Sequence, residues 1–155
     1  MNENEMLVRV LAQKKMTISC AESCTGGMVA AAITDVAGSS EVFKRSFVTY
    51  CDEAKHEMLG VDQDILDNYT AVSPQCAEAM ARGCAKNAGA DVAVSVTGIA
   101  GPGGGTEDTP VGCVYIGFYV NGMAVTERHL FDGDRRQVRR QAAERAIHGM
   151  LGLLQ

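Results

Sequence analysis

The sequence predicts an α/β protein, a three-layer α/β/α sandwich around a mixed, mostly parallel sheet. Three observations carry this: segments with helical spacing alternate with short β-rich apolar runs, one strand-like run is apolar throughout, and one hairpin signal lies near the C-terminus. A continuous apolar run suits a strand covered on both faces, and a hairpin brings in antiparallel pairing.

The elements follow in order. Residues 3–14 place Met6, Leu7, Val10 and Leu11 at helical spacing. Met16 to Cys20 is expected to be a short buried strand, followed by the turn AESCTGG and an Ala-rich helix from Met28 to Val36 that Gly38 ends. Val42 to Tyr50 alternates and is β-rich, so a second strand is expected there. Asp52 to Leu59 predicts a short helix stopped by Gly60, and a further short helix covers Gln63 to Asn68. Ser73 caps a longer helix over Gln75–Ala88, with Pro74 in its first turn. Asp91 to Thr97 (DVAVSVT) is the continuous apolar strand. Val111–Val120 and Met123–Leu130 flank Asn121-Gly122, the strongest short hairpin signal. Asp134 to Leu154 closes the chain as a long helix. There is no internal repeat and no linker, so one domain is expected over residues 1–155.

Composition narrows the functional classes. Apolar residues make up 46% and charged residues 21% of the chain, which fits a folded core rather than disorder. Aromatics are only 5%, so the core must be built from small aliphatic side chains. A net charge of −5 argues against nucleic acid as the main partner, because phosphate neutralisation dominates that affinity. No apolar stretch is long enough to span a membrane. The N-terminus puts acids ahead of a short apolar run, the wrong order for a secretory signal, so a cytoplasmic protein with reduced cysteines is expected. Those cysteines show no metal-ligand spacing, and no metal or other cofactor is expected. Homo-oligomerisation stays open.

Three loops follow strands, and in open α/β sheets ligands bind at the carboxyl ends of parallel strands. The first loop carries Ser23 and Thr25 ahead of Gly26-Gly27, at a helix start whose amides point outward. A nucleophile there would have oxyanion donors close by, and the two glycines would let a substrate approach the backbone. The alternative is that Ser23 or Thr25 only caps the helix. The second loop carries Tyr50, Lys55 and His56. A lysine assists a serine only when neutral, which burial favours, and Tyr50 could hold or relay the proton between them. Against this, most lysines are solvated. His56 competes as a base but turns away from Lys55 by roughly 100° on a helix.

The third loop, GIAGPGGGTEDTP, has five glycines and two prolines in 13 residues. It lacks the Lys-Ser/Thr ending of a P-loop, and a strand rather than a helix follows, so a glycine wall for a substrate fits better. Thr97, at the strand end beside Gly98, could donate into a pocket or only make a turn bond. Arg135 and Arg139 share one helix face, as do Arg136 and Arg140. Paired guanidiniums suit phosphate or carboxylate, and a solvated face paired with Asp132, Asp134 and Glu144 is the alternative, preferred for Arg136 and Arg140.

The strings AESCTGG, ITDVAGSSEVFKRSFVTYCDEAK, AVS, VTGIAGPGGGTEDTPVGCVY and FDGDRRQVRRQA together resemble the CinA C-terminal domain family, over about residues 5–152. That family includes stand-alone nicotinamide-nucleotide amidohydrolases. The resemblance implies a three-layer α/β/α domain and hydrolysis of nicotinamide mononucleotide to nicotinic acid mononucleotide and ammonia. It implies Ser23 as nucleophile, Lys55 as base, Tyr50 as its neighbour, Thr97 and Gly98 at the strand end, and Arg135 on the substrate, with Arg139 a weaker candidate for the phosphate. Where many relatives have Asn before the Glu-Ala-Lys, this chain has Asp52, whose charge would favour the protonated amine unless capping the helix holds it away. The longer family architecture adds an N-terminal pyrophosphatase domain, so that second activity is not expected here. The rival expectation is a non-catalytic nucleotide-binding module, or an interaction module linked to competence and DNA damage. An amidohydrolase with another pyridine or amide substrate is a third.

Overall fold

The computed structural model describes residues 1–155. Five strands form one sheet in the order β2-β1-β3-β4-β5. They are β1 (Ile18–Glu22), β2 (Phe47–Val48), β3 (Val92–Gly98), β4 (Cys113–Val120) and β5 (Met123–Leu130). β1 pairs parallel with β2 and β3, and β4 runs antiparallel to β3 and β5. All strands but β4 therefore point the same way, the mixed, mostly parallel sheet that the sequence predicts. α1 (Glu3–Lys14), α2 (Met28–Thr34) and α6 (Arg135–Leu154) cover one face; α3 (Asp52–Leu59), α4 (Gln63–Tyr69) and α5 (Pro74–Ala88) cover the other.

Local chemistry sets most boundaries. Asn2 and Glu5 form a reciprocal capping box on α1, and Asp134 and Gln137 form another on α6. The Ser73 hydroxyl accepts from the Cys76 amide to start α5, and Gly60 ends α3 in a left-handed conformation at φ +69°. Asn121 and Gly122, both at positive φ, make the two-residue β4–β5 turn.

One expectation is corrected. The strand predicted over Val42–Tyr50 shrinks to Phe47–Val48, preceded by a single 3-10 turn over Ser39–Glu41 and one bridge from Phe43 to Ile18. Side chains replace the ladder between these contacts: the Ser19 hydroxyl donates to the Arg45 carbonyl, and the Ser46 hydroxyl to the Cys20 carbonyl.

Strand alternation then decides which face each side chain serves. In β3, Val92, Val94 and Val96 enter the core under α6 and α1, while Ala93 enters the core under α5. Ser95 and Thr97 share the parity of Ala93, and their hydroxyls donate to carbonyls of Ala77 in α5 and Ala71 just before it. In β1, Ile18 and Cys20 lie under α2 and α6, and Ala21 lies on the α5 side. Continued by two residues, this alternation directs Glu22 to the α2 face and Ser23 to the α3 face.

Candidate active site

The carboxyl ends of β1, β2 and β3 meet at one edge of the sheet, around a cavity of about 270 Å³. Its walls include Ser23, Tyr50, Lys55, Thr97, Gly98 and Arg135. The three loops thus converge, as the sequence argument requires.

Ser23 continues the β1 register by one residue, its amide donating to the Val96 carbonyl at 2.9 Å. Lys55, in the first turns of α3, reaches under it. Its Nζ donates to Ser23 Oγ at 3.0 Å and to the Thr49 carbonyl at 3.0 Å. Lys55 is only 1% exposed, so it is not the solvated surface lysine. Burial pushes its pKa below the usual lysine range, against the upward pull of Cys76, Asp52, Cys51 and Cys24. Cys24 also lines the cavity, and burial pushes its thiol up to about 11. At neutral pH it is a protonated thiol and a poor nucleophile. The Thr49 hydroxyl beside this pair is buried with no hydrogen-bond partner.

Glu22 organises the turn. Its carboxylate is fully buried and accepts from the Thr25 hydroxyl and the amides of Val29 and Ala30, at 2.7, 2.9 and 3.0 Å. The first turn of α2 is therefore already occupied by an anion from within the protein. The Val29 and Ala30 amides are therefore not open to a ligand. Within the turn, the Gly26 amide bonds the Ser23 carbonyl and the Met28 amide bonds the Thr25 carbonyl. The Cys24 and Thr25 amides donate to no protein acceptor.

Several predicted contacts fall outside the cavity wall. Thr25 is buried against Glu22. Gly26 and Gly27 adopt φ of +60° and +113°, so their role is to turn the chain from β1 into α2. Arg139, expected on the phosphate, donates instead to the carbonyls of Cys24 and Thr25 at 2.9 and 3.3 Å, fastening the Ser23 turn to α6. Arg140 pairs with Glu144 on an open face, and the His56 ring bonds the Val61 carbonyl. Asp52 does not cap α3: Cys51 holds the cap position and Asp52 is the first helical residue, facing the cavity. Tyr50 does not reach the Ser23–Lys55 pair; its hydroxyl accepts from Arg135 at 2.9 Å.

Other features have little signal in the sequence. Ala71 and Val72 close the cavity from the α4–α5 connection, and the backbone of Ile99–Gly101 with Gly103 and Gly104 forms the opposite wall. Glu22 could have been found from β1 alternation, which separates it from Ser23. The Thr49 carbonyl has no such signature.

Fold and site together define a mixed-sheet α/β protein with a buried lysine bonded to a serine where parallel strands end. A model of the CinA C-terminal domain matches residues 2–154. The chain belongs to the CinA C-terminal domain family. It is 55% identical over 134 residues to the nicotinamide-nucleotide amidohydrolase PncC of Enterobacter agglomerans, covering 86% of this chain and 82% of that one. It is 54% identical over 141 residues to a putative competence-damage inducible protein of Clostridium beijerinckii, covering 91% of this chain and 34% of the relative. The chain thus spans about a third of the length of several curated relatives it matches. Among solved structures, the CinA superfamily protein of Escherichia coli superposes with a TM-score of 0.95 at 36% identity, covering 98% of this chain and 88% of that one. The competence/damage inducible protein of Agrobacterium tumefaciens gives 0.92 at 40% identity, covering 100% and 98%. No helix is long and apolar enough to cross a membrane.

Proposed function

We propose that this chain hydrolyses the carboxamide of nicotinamide mononucleotide, with Ser23 as nucleophile and Lys55 as general base. The observation that carries the proposal is the 3.0 Å contact between Lys55 Nζ and Ser23 Oγ inside a buried site. The name of the Enterobacter agglomerans relative supplies the substrate class.

Neutral Lys55 accepts the Ser23 proton along that contact as Oγ attacks the amide carbon. The amide of Cys24, a residue of the cavity wall, is unengaged within the protein and serves as a donor for the oxyanion. The carbon–nitrogen bond then breaks, and protonated Lys55 gives its proton to the departing nitrogen, releasing ammonia. Water next loses a proton to Lys55 and attacks the acyl-serine. The bond to Oγ breaks, nicotinic acid mononucleotide leaves, and the proton returns to Ser23. Thr49, through its carbonyl, aims the amine. Arg135, at the cavity rim, is the group for the substrate phosphate.

Ammonia release from nicotinamide mononucleotide by the native protein, Ser23→Ala and Lys55→Met tests this reading. Each variant is expected to lose about 10³-fold or more in kcat while remaining folded. Undiminished turnover in either variant refutes the assigned chemistry, and no turnover in the native protein favours a binding module.

A further inference from the structure

The guanidinium available to a substrate phosphate is already engaged within the protein. Arg135 sends Nη1 to the Gly101 carbonyl at 2.8 Å and Nη2 to the Tyr50 hydroxyl at 2.9 Å. These acceptors belong to two different walls of the cavity, the glycine-rich segment after β3 and the chain leaving β2. One side chain from α6 thus ties both walls together at the rim.

Both partners are neutral acceptors. A phosphate monoester is anionic and presents several terminal oxygens that match the guanidinium fork, so its bonds to arginine are the stronger ones. Arg135 is the first residue of α6, with Arg136 next to it, and the Asp134 carboxylate already caps that turn through the Gln137 amide, so the attraction for a phosphate comes from the guanidinium charge. A phosphate gripped by the Nη1–Nη2 edge as a forked pair turns that edge toward itself and so takes the guanidinium from both acceptors.

Tyr50 is the partner with a consequence. It lines the same cavity as Ser23 and Lys55, yet it is 60% exposed, with its hydroxyl held at the rim by Arg135. Once released, the ring can change rotamer and bring that hydroxyl inward.

We propose that Arg135 is a phosphate-operated latch: the substrate phosphate replaces Tyr50 and Gly101 on the guanidinium and frees the Tyr50 hydroxyl to enter the cavity. This rests on Ser23 and Lys55 being the amidase pair, and it makes the phosphate a trigger as well as an anchor. A nucleotide is then favoured over the matching nucleoside in kcat as well as in KM.

Nicotinamide riboside, which carries the amide without the phosphate, separates anchor from trigger. Inorganic phosphite added in trans is expected to raise its kcat/KM saturably, by about tenfold or more. Arg135→Met is expected to abolish that activation, and Tyr50→Phe to reduce it to within about twofold. A second measurement does not need turnover. In protein labelled with 13C at the tyrosine ring, phosphite is expected to shift the Tyr50 resonance, identified by its loss in Tyr50→Phe, and to leave it unmoved in Arg135→Met. Phosphite that leaves riboside turnover unchanged or inhibits it, or a Tyr50 resonance that phosphite does not move, overturns the latch. Failure of the amidase reading shows separately, as absent ammonia release from the mononucleotide itself.

Discussion

Glu22→Gln tests how the Ser23 turn is held, and its cost can be worked from the geometry. One carboxylate oxygen serves the Thr25 hydroxyl and the Val29 amide, and the other serves the Ala30 amide. A glutamine has one acceptor oxygen and an NH2 that only donates. In one flip the Ala30 amide faces a donor; in the other the Val29 amide does, while the Thr25 hydroxyl can rotate to accept. Either way one backbone N–H at a buried helix start loses its partner, a cost of about 1–3 kcal/mol. Removing the negative charge from the first turn of α2 adds about 0.3–1 kcal/mol. Relief of the carboxylate's own desolvation offsets part of this, leaving about 2 kcal/mol. Urea unfolding followed by circular dichroism is expected to show a midpoint lowered by about 1 M with an unchanged slope. Because Ser23 is the next residue, kcat should fall by more than KM rises. A variant within about 0.5 kcal/mol of the native protein, with unchanged kcat, would refute the assignment of Glu22 as the cap.

Other perturbations probe the lysine and its supports. Turnover should rise with pH as Lys55 loses its proton, and Asp52→Asn, which removes a charge pulling that pKa upward, should move the acid limb of kcat/KM to lower pH. A limb that stays in place or moves up contradicts the electrostatic argument. Unfolded, Lys55 titrates near its free value of about 10.4 and binds its proton more tightly than in the native state. Native stability should therefore rise with pH between the lowered pKa and about 10.4, and Lys55→Met should flatten that rise, read from urea midpoints. A Cβ at Gly83 in α5 would overlap the Leu59 carbonyl at the end of α3, so Gly83→Ala must push α3 outward. It should cost about 1–3 kcal/mol and lower activity by displacing Lys55; native-like melting and turnover would contradict this. Thr49→Val keeps the shape of a side chain whose hydroxyl has no partner. It should stabilise the protein by about 1 kcal/mol, and a lower unfolding midpoint would show that the hydroxyl is satisfied after all.

What the sequence by itself determined is the part governed by short-range physics. Caps and stops at Ser73, Gly60 and Asp134 place helix ends to within a residue or two, because the groups that satisfy them are neighbours in the chain. The Asn121-Gly122 turn sets the β4–β5 hairpin for the same reason. The residues AESCTGG and CDEAK singled out Ser23 and Lys55, and the alternation of VAVSVT already carries the division between the two faces of β3.

Tertiary structure decided where long side chains end and what they meet. Whether Arg139 holds a ligand or the Ser23 turn depends on α6 passing close to Cys24, more than a hundred residues away in the chain. Tyr50 meets Arg135, the first residue of α6 and 85 residues away in the chain, rather than Lys55. The lowered pKa of Lys55 comes from desolvation, a property of everything packed around it. Turns and caps are written locally; burial and the partners of flexible side chains exist only once distant segments have packed.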